Sequence, residues 1–319
     1  MEKCSIIIAS YNEGENLKKC LASLQAIDSH KESFEIIVID NNSTDNTAEI
    51  VKNFPEVVYL QEKRQGAAFA RNKGVQHSKS DIVVFLDADT SVTKKWLYHM
   101  TESFQNKKIG AIGGAIYPFS KNNIFSRYLG VSLFLRYPRY KERKEIKGYP
   151  SCNLAIRKEL IAEGFDTSTF TTYGEDKDIC WQILRKGYKV IFEPDAIIYH
   201  RHPENLSELL KLLVKSSLGR VNFSKKYPYA PDIVLLHFHF LLIYIVFLVF
   251  FSFLWGFKGF LLTVSPLLIY LIYSSILSFI DTKDLLVSFF IKPFLDIFSV
   301  CVIYVSYHWH KLSKSSNSQ

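Results

Sequence analysis

Beyond residue 230 the sequence has no Arg and no Glu, and residues 231–319 hold only five Lys (258, 283, 292, 311, 314) and four Asp (232, 281, 284, 296). That scarcity excludes an ordinary water-facing surface there, since a soluble domain is about a quarter charged residues. Paired cysteines are missing too. The five Cys (4, 20, 152, 180, 301) show no CxxC or metal-type spacing. They are expected to be reduced thiols, without a disulfide framework. The first residues offer one Lys and a four-residue apolar run, 6–9, too short for a secretory signal core. The N-terminal part is therefore expected to stay in the cytosol. The net charge is +8, but Lys and Arg are scattered and build no nucleic-acid motif. The expected partners are phosphates or an anionic membrane surface, not nucleic acid. No internal repeat or low-complexity tract is present.

What is there first is an alternation. Apolar runs at 4–9, 34–39, 57–60 and 81–86 have the length and β-branched content of buried strands. Between them, 15–28 places Leu17, Cys20, Leu21, Leu24 and Ile27 on one helical face; 43–53, capped by Ser43 or Thr44, and 66–77 also read as helices. Strands of this kind separated by helices predict an α/β fold with a mostly parallel sheet covered on both faces. Ligands of such sheets sit at the carboxyl ends of strands. Three polar clusters fall there: 10–13, 40–45 and 87–89.

Further on, 96–104 and 175–186 read as helices, and 109–117, 153–156 and 190–192 as strands. Residues 120–147, rich in Lys, Arg and Tyr, read as a mobile or surface segment. Residues 204–222 oppose Leu206, Leu209, Leu210, Leu213 and Val214 to Lys211, Lys215 and Arg220, which suits a helix at a membrane interface. Residues 233–257 and 259–280 are long enough and free enough of charge to span a bilayer. Residues 285–309 are interrupted by Lys292-Pro293 and Asp296, and read either as a third span or as an interfacial piece followed by a short one. The Lys-bearing tail favours a cytosolic C-terminus, whereas three full spans would put it outside.

The chemistry centres on Asp87-Ala88-Asp89, directly after a buried run. Two carboxylates so spaced can hold Mg²⁺ or Mn²⁺ against a diphosphate, because these ions prefer oxygen donors and keep phosphates in their shell. The plainer reading is a turn with an Asp cap. A second acidic cluster, Glu175-Asp176-Lys177-Asp178, follows Tyr173-Gly174 and opens a helix, where negative charge suits the helix dipole.

The segments ASYNEGENL, VIDNNSTDNT, QGAAFARNKG, FLDADT and YGEDKDICWQILRKG occur in that order. Together they resemble the family 2 inverting glycosyltransferases, over roughly residues 3–202. The resemblance implies a GT-A (nucleotide-diphospho-sugar transferase) fold, followed here by C-terminal transmembrane helices. It assigns Ser10, Tyr11, Glu13 and Asp40 to the nucleobase and ribose of a UDP- or GDP-sugar donor. Asp40 can accept a base N–H or merely cap its turn. Gly66 would let the backbone approach the donor. Arg71 would either neutralise phosphate or sit as a surface arginine. Asp87 and Asp89 become donor and metal ligands. His200 would be a further metal ligand or a neutral histidine at a strand end, with His202 as its decoy. The family's general base maps onto Asp176, with Glu175 beside it; Asp178 reads as a helix cap. Trp181 and Arg185 serve as acceptor-site wall or local scaffold.

One departure concerns the processive polysaccharide synthases, which carry QxxRW on an interfacial helix. Residues 218–222 here read Leu-Gly-Arg-Val-Asn, which makes processive synthesis unexpected. The expected organisation is a catalytic domain at 1–202, an interfacial segment at 203–230, a multi-pass anchor of two or three helices at 231–310 and a polar tail at 311–319. The expected function is metal-dependent inverting sugar transfer to a lipid-linked or saccharide hydroxyl at the cytosolic membrane face, in glycan or polysaccharide biosynthesis. Transfer to a polyprenyl phosphate is the enzymatic alternative, and a non-catalytic membrane protein using the fold as a binding module is the rival of another class. A transporter is disfavoured by the small number of spans and the expectation that they hold no buried ionisable pair.

Overall fold

Strands without polar side chains have no face to offer water, so the sheet they build is covered on both sides. The computed structural model of the protein describes residues 3–28, 33–120, 122–132, 140–171, 173–230 and 233–315. In it β1 (Cys4–Ser10), β2 (Phe34–Asp40), β3 (Val57–Gln61) and β4 (Ile82–Asp87) pair in parallel in the order β3-β2-β1-β4. The chain returns between them through α1 (Gly14–Gln25), α2 (Thr47–Val51) and α3 (Ala67–His77). Ile6, Ile7, Ile37, Val83 and Phe85 lose all contact with solvent. α1 turns Leu17, Cys20, Leu21 and Leu24 inward, as its periodicity predicted. α2 starts four residues later than the expected Ser43, because residues 41–46 are spent on loop contacts described below.

Past β4 the sheet turns mixed. β5 (Thr90–Val92), β6 (Ile109–Pro118), β7 (Lys144–Ile146), β8 (Asn153–Arg157) and β9 (Lys189–His200) complete it among the described residues. β8 lies antiparallel between β4 and β6; β9 runs parallel to β6 and carries β5 and β7 antiparallel. α4 (Trp96–Thr101) buries Trp96, whose indole N–H donates to Asn153 Oδ1 at 2.9 Å. β9 is longer than the expected 190–192 because Glu193, a charge inside the strand, is buried against Arg143 (Nε to Oε2, 2.6 Å). α5 (Ile124–Leu129) belongs to a second unit, and α6 (Glu175–Arg185) opens with the second acidic cluster.

Two compact units share the chain: Met1–Phe119 with Tyr137–Arg201, which holds the sheet, and Ser120–Arg136 with His202–Gln319. The second contains α5, α7 (Leu206–Lys226), α8 (Ile233–Thr282), a π-helical stretch Leu286–Ile291 and α9 (Lys292–Ser315). The expected surface segment 120–147 is thus divided: α5 buries Tyr128, β7 joins the sheet, and residues 121 and 133–139 lie outside the described residues. α7 packs Leu209 and Leu213 with Tyr128, Val131, Val287 and Ile303, while Leu206 and Val214 remain exposed. Part of the stripe expected to face lipid is therefore taken up by protein.

Gly256 breaks α8 at φ 56°, ψ −140°, close to the expected boundary between two apolar segments. Among the described residues one helix, Leu286–His310, is long and apolar enough to cross a membrane; Val246–Lys258 and Leu268–Ile280 are shorter apolar helices. The expected spans 233–257 and 259–280 both fall within α8. The charges that interrupt the third segment in the sequence are paired. Lys292 Nζ donates to Asp296 Oδ2 at 2.5 Å, one turn away, and to Ser274 Oγ at 2.7 Å. Tyr128 Oη donates to Asp296 Oδ1 at 3.0 Å. Both charged residues are buried, so the expectation of no buried ionisable pair is wrong.

Candidate active site

The loops after β1 and β2 are laced together. Asn12, in the left-handed region at φ 53°, donates its N–H to Ser43 Oγ at 3.0 Å and accepts Thr44 N–H on Oδ1 at 2.8 Å. Gly14 N–H donates to Asp45 Oδ2 at 3.0 Å. Ser10 is buried beneath this loop, Tyr11 is half exposed, and Glu13 lies next to α1. Asp40 is buried; its Oδ1 accepts Ser43 N–H at 2.8 Å and its Oδ2 accepts Tyr59 O–H at 2.6 Å. The turn-capping reading of Asp40 is thus realised, and each oxygen keeps a lone pair. Asn41 fastens the next loop, donating to Glu62 O and Arg64 O and accepting Gly66 N–H at 2.8 Å. Gly66 sits at φ 134°, where a side chain is strained, and a Cβ would lie 3.2 Å from Thr171 O.

Asp87 ends β4, and the chain re-enters the sheet at once through β5. Thr90 pairs with His200 across β5 and β9, and Arg201 N–H donates to Asp89 O at 3.1 Å. This ladder brings His200 Nε2 to 3.5 Å from Asp89 Oδ1 and 3.8 Å from Asp87 Oδ2. Burial alone would favour neutral imidazole, but the Asp89 and Asp87 carboxylates outweigh it and raise the His200 pKa to about 9. Asp87 is held well below the usual carboxylate range: burial opposes this, and the charges of Arg71 and His200 prevail. Asp89 is pushed up by burial, with the charges of Asp87 and Glu13 adding and His200 opposing. Two carboxylates and an imidazole, crowded and partly buried, form a donor set that fits a divalent cation such as Mg²⁺ or Mn²⁺. The decoy separates cleanly: His202 is in the second unit, buried with Nδ1 3.2 Å from Ser126 O.

Arg71 is not the surface arginine that its helix position allowed. It is 5% exposed, and Nη2 donates to Asp87 Oδ1 at 2.8 Å while Nη1 donates to Glu175 Oε1 at 2.9 Å. Both Nη groups are thus engaged by carboxylates, and each keeps a second N–H. α6 begins after Gly174, at φ 101°. Glu175 is held by Arg71. Asp178, expected to cap the helix, instead accepts from Gln182 Nε2 at 2.8 Å within it. Asp176 Oδ1 accepts Lys177 N–H at 2.7 Å. Burial and the neighbouring Glu175 charge push the Asp176 pKa up to about 7. Trp181 is partly buried and Arg185 exposed on the same helix.

Sequence reasoning missed Cys152. It is buried next to this centre, and Asp87, Cys152 and His200 each bring one donor atom within 4.8 Å of the others. Its spacing from other cysteines carried no signal. Its position just before a strand-like run was the only trace in the sequence; the pairing of that run with β4 is seen only in the structure.

The description Glycosyl transferase family 2 matches residues 5–165, a stretch that stops short of Glu175 and His200. The poly-beta-1,6-N-acetyl-D-glucosamine synthase of Staphylococcus aureus (strain COL) is 30% identical over 231 residues, 69% of this chain and 55% of that protein. The chain thus spans about half the length of that curated relative. Glycosyltransferase AglE of Haloferax volcanii is 27% identical over 225 residues, 68% of this chain and 72% of that protein. Among solved structures, the mannosyltransferase PcManGT of Pyrobaculum calidifontis, in complex with GDP-Man and Mn²⁺, superposes with a TM-score of 0.62 at 18% identity, covering 97% of this chain and 88% of that one. S. aureus TarS 1–349 with UDP-GlcNAc gives 0.51 at 18%, covering 69% and 67%. At these identities the structural likeness is one of fold.

Proposed function

The chain belongs to glycosyl transferase family 2, and from that premise we propose that it is a metal-dependent inverting glycosyltransferase acting on a UDP- or GDP-sugar. The acceptor in this reading is a lipid-linked or saccharide hydroxyl. One observation carries it: Arg71 joins Asp87 to Glu175, so the cation-type acids and the acidic start of α6 form one connected centre.

In this reading the loops after β1 and β2, with Ser10, Tyr11, Glu13 and Asp40, receive the nucleoside. Their mutual hydrogen bonds prepare that surface before the donor arrives. Asp87, Asp89 and His200 would hold Mg²⁺ or Mn²⁺, which would supply positive charge to a departing nucleoside diphosphate. Arg71 keeps the Asp87 carboxylate oriented with one oxygen toward His200. Asp176 takes the proton of the attacking hydroxyl, since a base poised near neutrality is the one that exchanges protons readily. Glu175 serves Asp176 indirectly: its charge raises the neighbour's proton affinity, and its own oxygen is occupied by Arg71.

Residues 1–202 would form the catalytic domain, 203–230 an interfacial segment, 231–310 a multi-pass anchor and 311–319 a tail, with the catalytic part in the cytosol. Leu286–His310 supports attachment to a membrane, which would place the site near lipid-linked acceptors. The test is a panel of UDP- and GDP-sugars with the full chain in detergent, scored for hydrolysis or transfer with and without Mn²⁺. Turnover that needs the cation is expected. Donor binding with no turnover on any sugar would refute the enzymatic reading.

A further inference from the structure

We propose that Cys152 is an additional donor at the cation centre, so that Asp87, Cys152 and His200 together take a thiophilic divalent ion such as Zn²⁺ in competition with Mg²⁺ or Mn²⁺. This rests on the cation-site reading given above and adds a ligand, a metal class and a means of inhibition to it.

The topology explains why the three meet. β4 and β8 run antiparallel, and their last pair is Leu86 with Asn153. The next residues along the two strands are Asp87 and Cys152. His200 arrives from the opposite side, through its pairing with Thr90. The result is one carboxylate oxygen, one sulfur and one imidazole nitrogen within 4.8 Å of one another. Asp87 spends Oδ1 on Arg71, while Oδ2 lies on the His200 side, 3.8 Å from Nε2. Among the described residues the other such group, His99, Glu193 and Asp195, contains no sulfur.

The donor types decide which ion prefers the place. Mg²⁺ and Mn²⁺ are oxygen-seeking and gain little from sulfur. Zn²⁺ is held well by sulfur and imidazole, with three protein ligands leaving a fourth position open. It also stands above Mn²⁺ in intrinsic affinity for any nitrogen, oxygen or sulfur site. On binding, the Cys152 S–H bond and one His200 ring N–H bond break, metal–sulfur and metal–nitrogen bonds form, and both protons pass to solvent. Cys152 is 3% exposed, so its sulfur is shielded from bulk solvent. A thiophilic ion seated there occupies the Asp87 and His200 atoms that the catalytic cation needs.

Cd²⁺ is the probe, because its bond to a thiolate gives an ultraviolet charge-transfer absorption that oxygen and nitrogen ligands do not. The exposed Cys301 is first replaced by Ser in the full chain in detergent. In this background the band is expected to saturate with one ion per chain, and Cd²⁺ should displace Mn²⁺ followed by electron paramagnetic resonance. Adding Cys152→Ser should abolish the band and weaken Zn²⁺ binding at least as much as loss of a supporting partner does, about 10–100-fold, while Mn²⁺ still binds. A band unchanged by Cys152→Ser, or absent although Mn²⁺ binds, overturns the proposal. A Cys152-dependent band in a protein that never binds Mn²⁺ upholds the thiol site and refutes the Mg²⁺ or Mn²⁺ reading instead. His200→Gln covers the case in which Cys152→Ser does not fold: it should weaken the band, and an unaltered band counts against the proposal.

Discussion

Arg71 Nη1 lies 2.9 Å from Glu175 Oε1, a hydrogen bond between residues 104 positions apart. Its other Nη group donates to Asp87, so one buried guanidinium joins an acid at the end of β4 to one at the start of α6. Arg71→Met leaves both acids without their shared partner. Breaking a buried ion pair from one side costs about 3–5 kcal/mol. A fall in the thermal midpoint of the detergent-purified chain is expected, and Arg71→Lys should recover only part of it, since an ammonium lacks the planar fork. An unchanged midpoint would mean that water replaces the bridge without loss.

Asp89→Asn tests the cation site. It removes a negative oxygen 3.5 Å from His200 Nε2. Loss of a preorganised electrostatic partner of this kind lowers turnover about 10²–10³-fold, and Mn²⁺ affinity should fall with it. Near-normal turnover and unchanged Mn²⁺ binding would exclude Asp89 as a ligand.

Asp176 links base chemistry to pH. Its pKa stands at about 7, against 3.8 unperturbed. A base must be ionised, so the rate should climb with pH through about 7 and then level. Asp176→Asn should lower the rate about 10²–10⁴-fold and remove that limb, with donor affinity little changed. The sign for stability is opposite. A carboxyl with a raised folded pKa binds its proton more tightly folded than unfolded. Its contribution is present below pH 3.8 and is lost as pH rises through 7. The Asn variant should therefore be more stable than the parent above pH 7, though less active. Normal rates for both Asp176→Asn and Glu175→Gln would transfer support to a phosphate nucleophile, which needs no base.

Lys292 and Asp296 offer a test in the second unit. Asp296→Asn strands a buried ammonium and also removes a charged partner of Tyr128. A loss of about 3–5 kcal/mol is expected. Replacing both by Leu should restore most of it, because well-packed apolar residues often serve as well as a buried pair. Thermal unfolding in detergent distinguishes the three chains; equal midpoints would mean the pair is hydrated.

The parallel half of the sheet and its loops were legible because period and composition are local. The runs at 4–9, 34–39 and 81–86 have the length and β-branched content of buried strands, and loops at their carboxyl ends collect polar residues. The runs beyond residue 89 were harder. β5 and β7 are three residues each, too short to show a period, and Glu193 disguises β9 until Arg143 neutralises it. The third apolar segment was left open between a full span and an interfacial piece for the same reason: Lys292 and Asp296 count as two interruptions in a string and as one neutral pair on a helix.

The candidate site divides along the same line. The order of its motifs resembled family 2 glycosyltransferases, and that resemblance put forward Asp87, Asp89 and the acids at 175–178 as the candidate centre. Which of those acids is held and which is open depended on Arg71, whose partners come from 16 and 104 residues away. That His200 lies beside Asp87 and Asp89, and Cys152 beside both Asp87 and His200, follows from strand pairing. Side-chain type is written residue by residue, but proximity across a sheet is set by register, and no spacing along the chain encodes it.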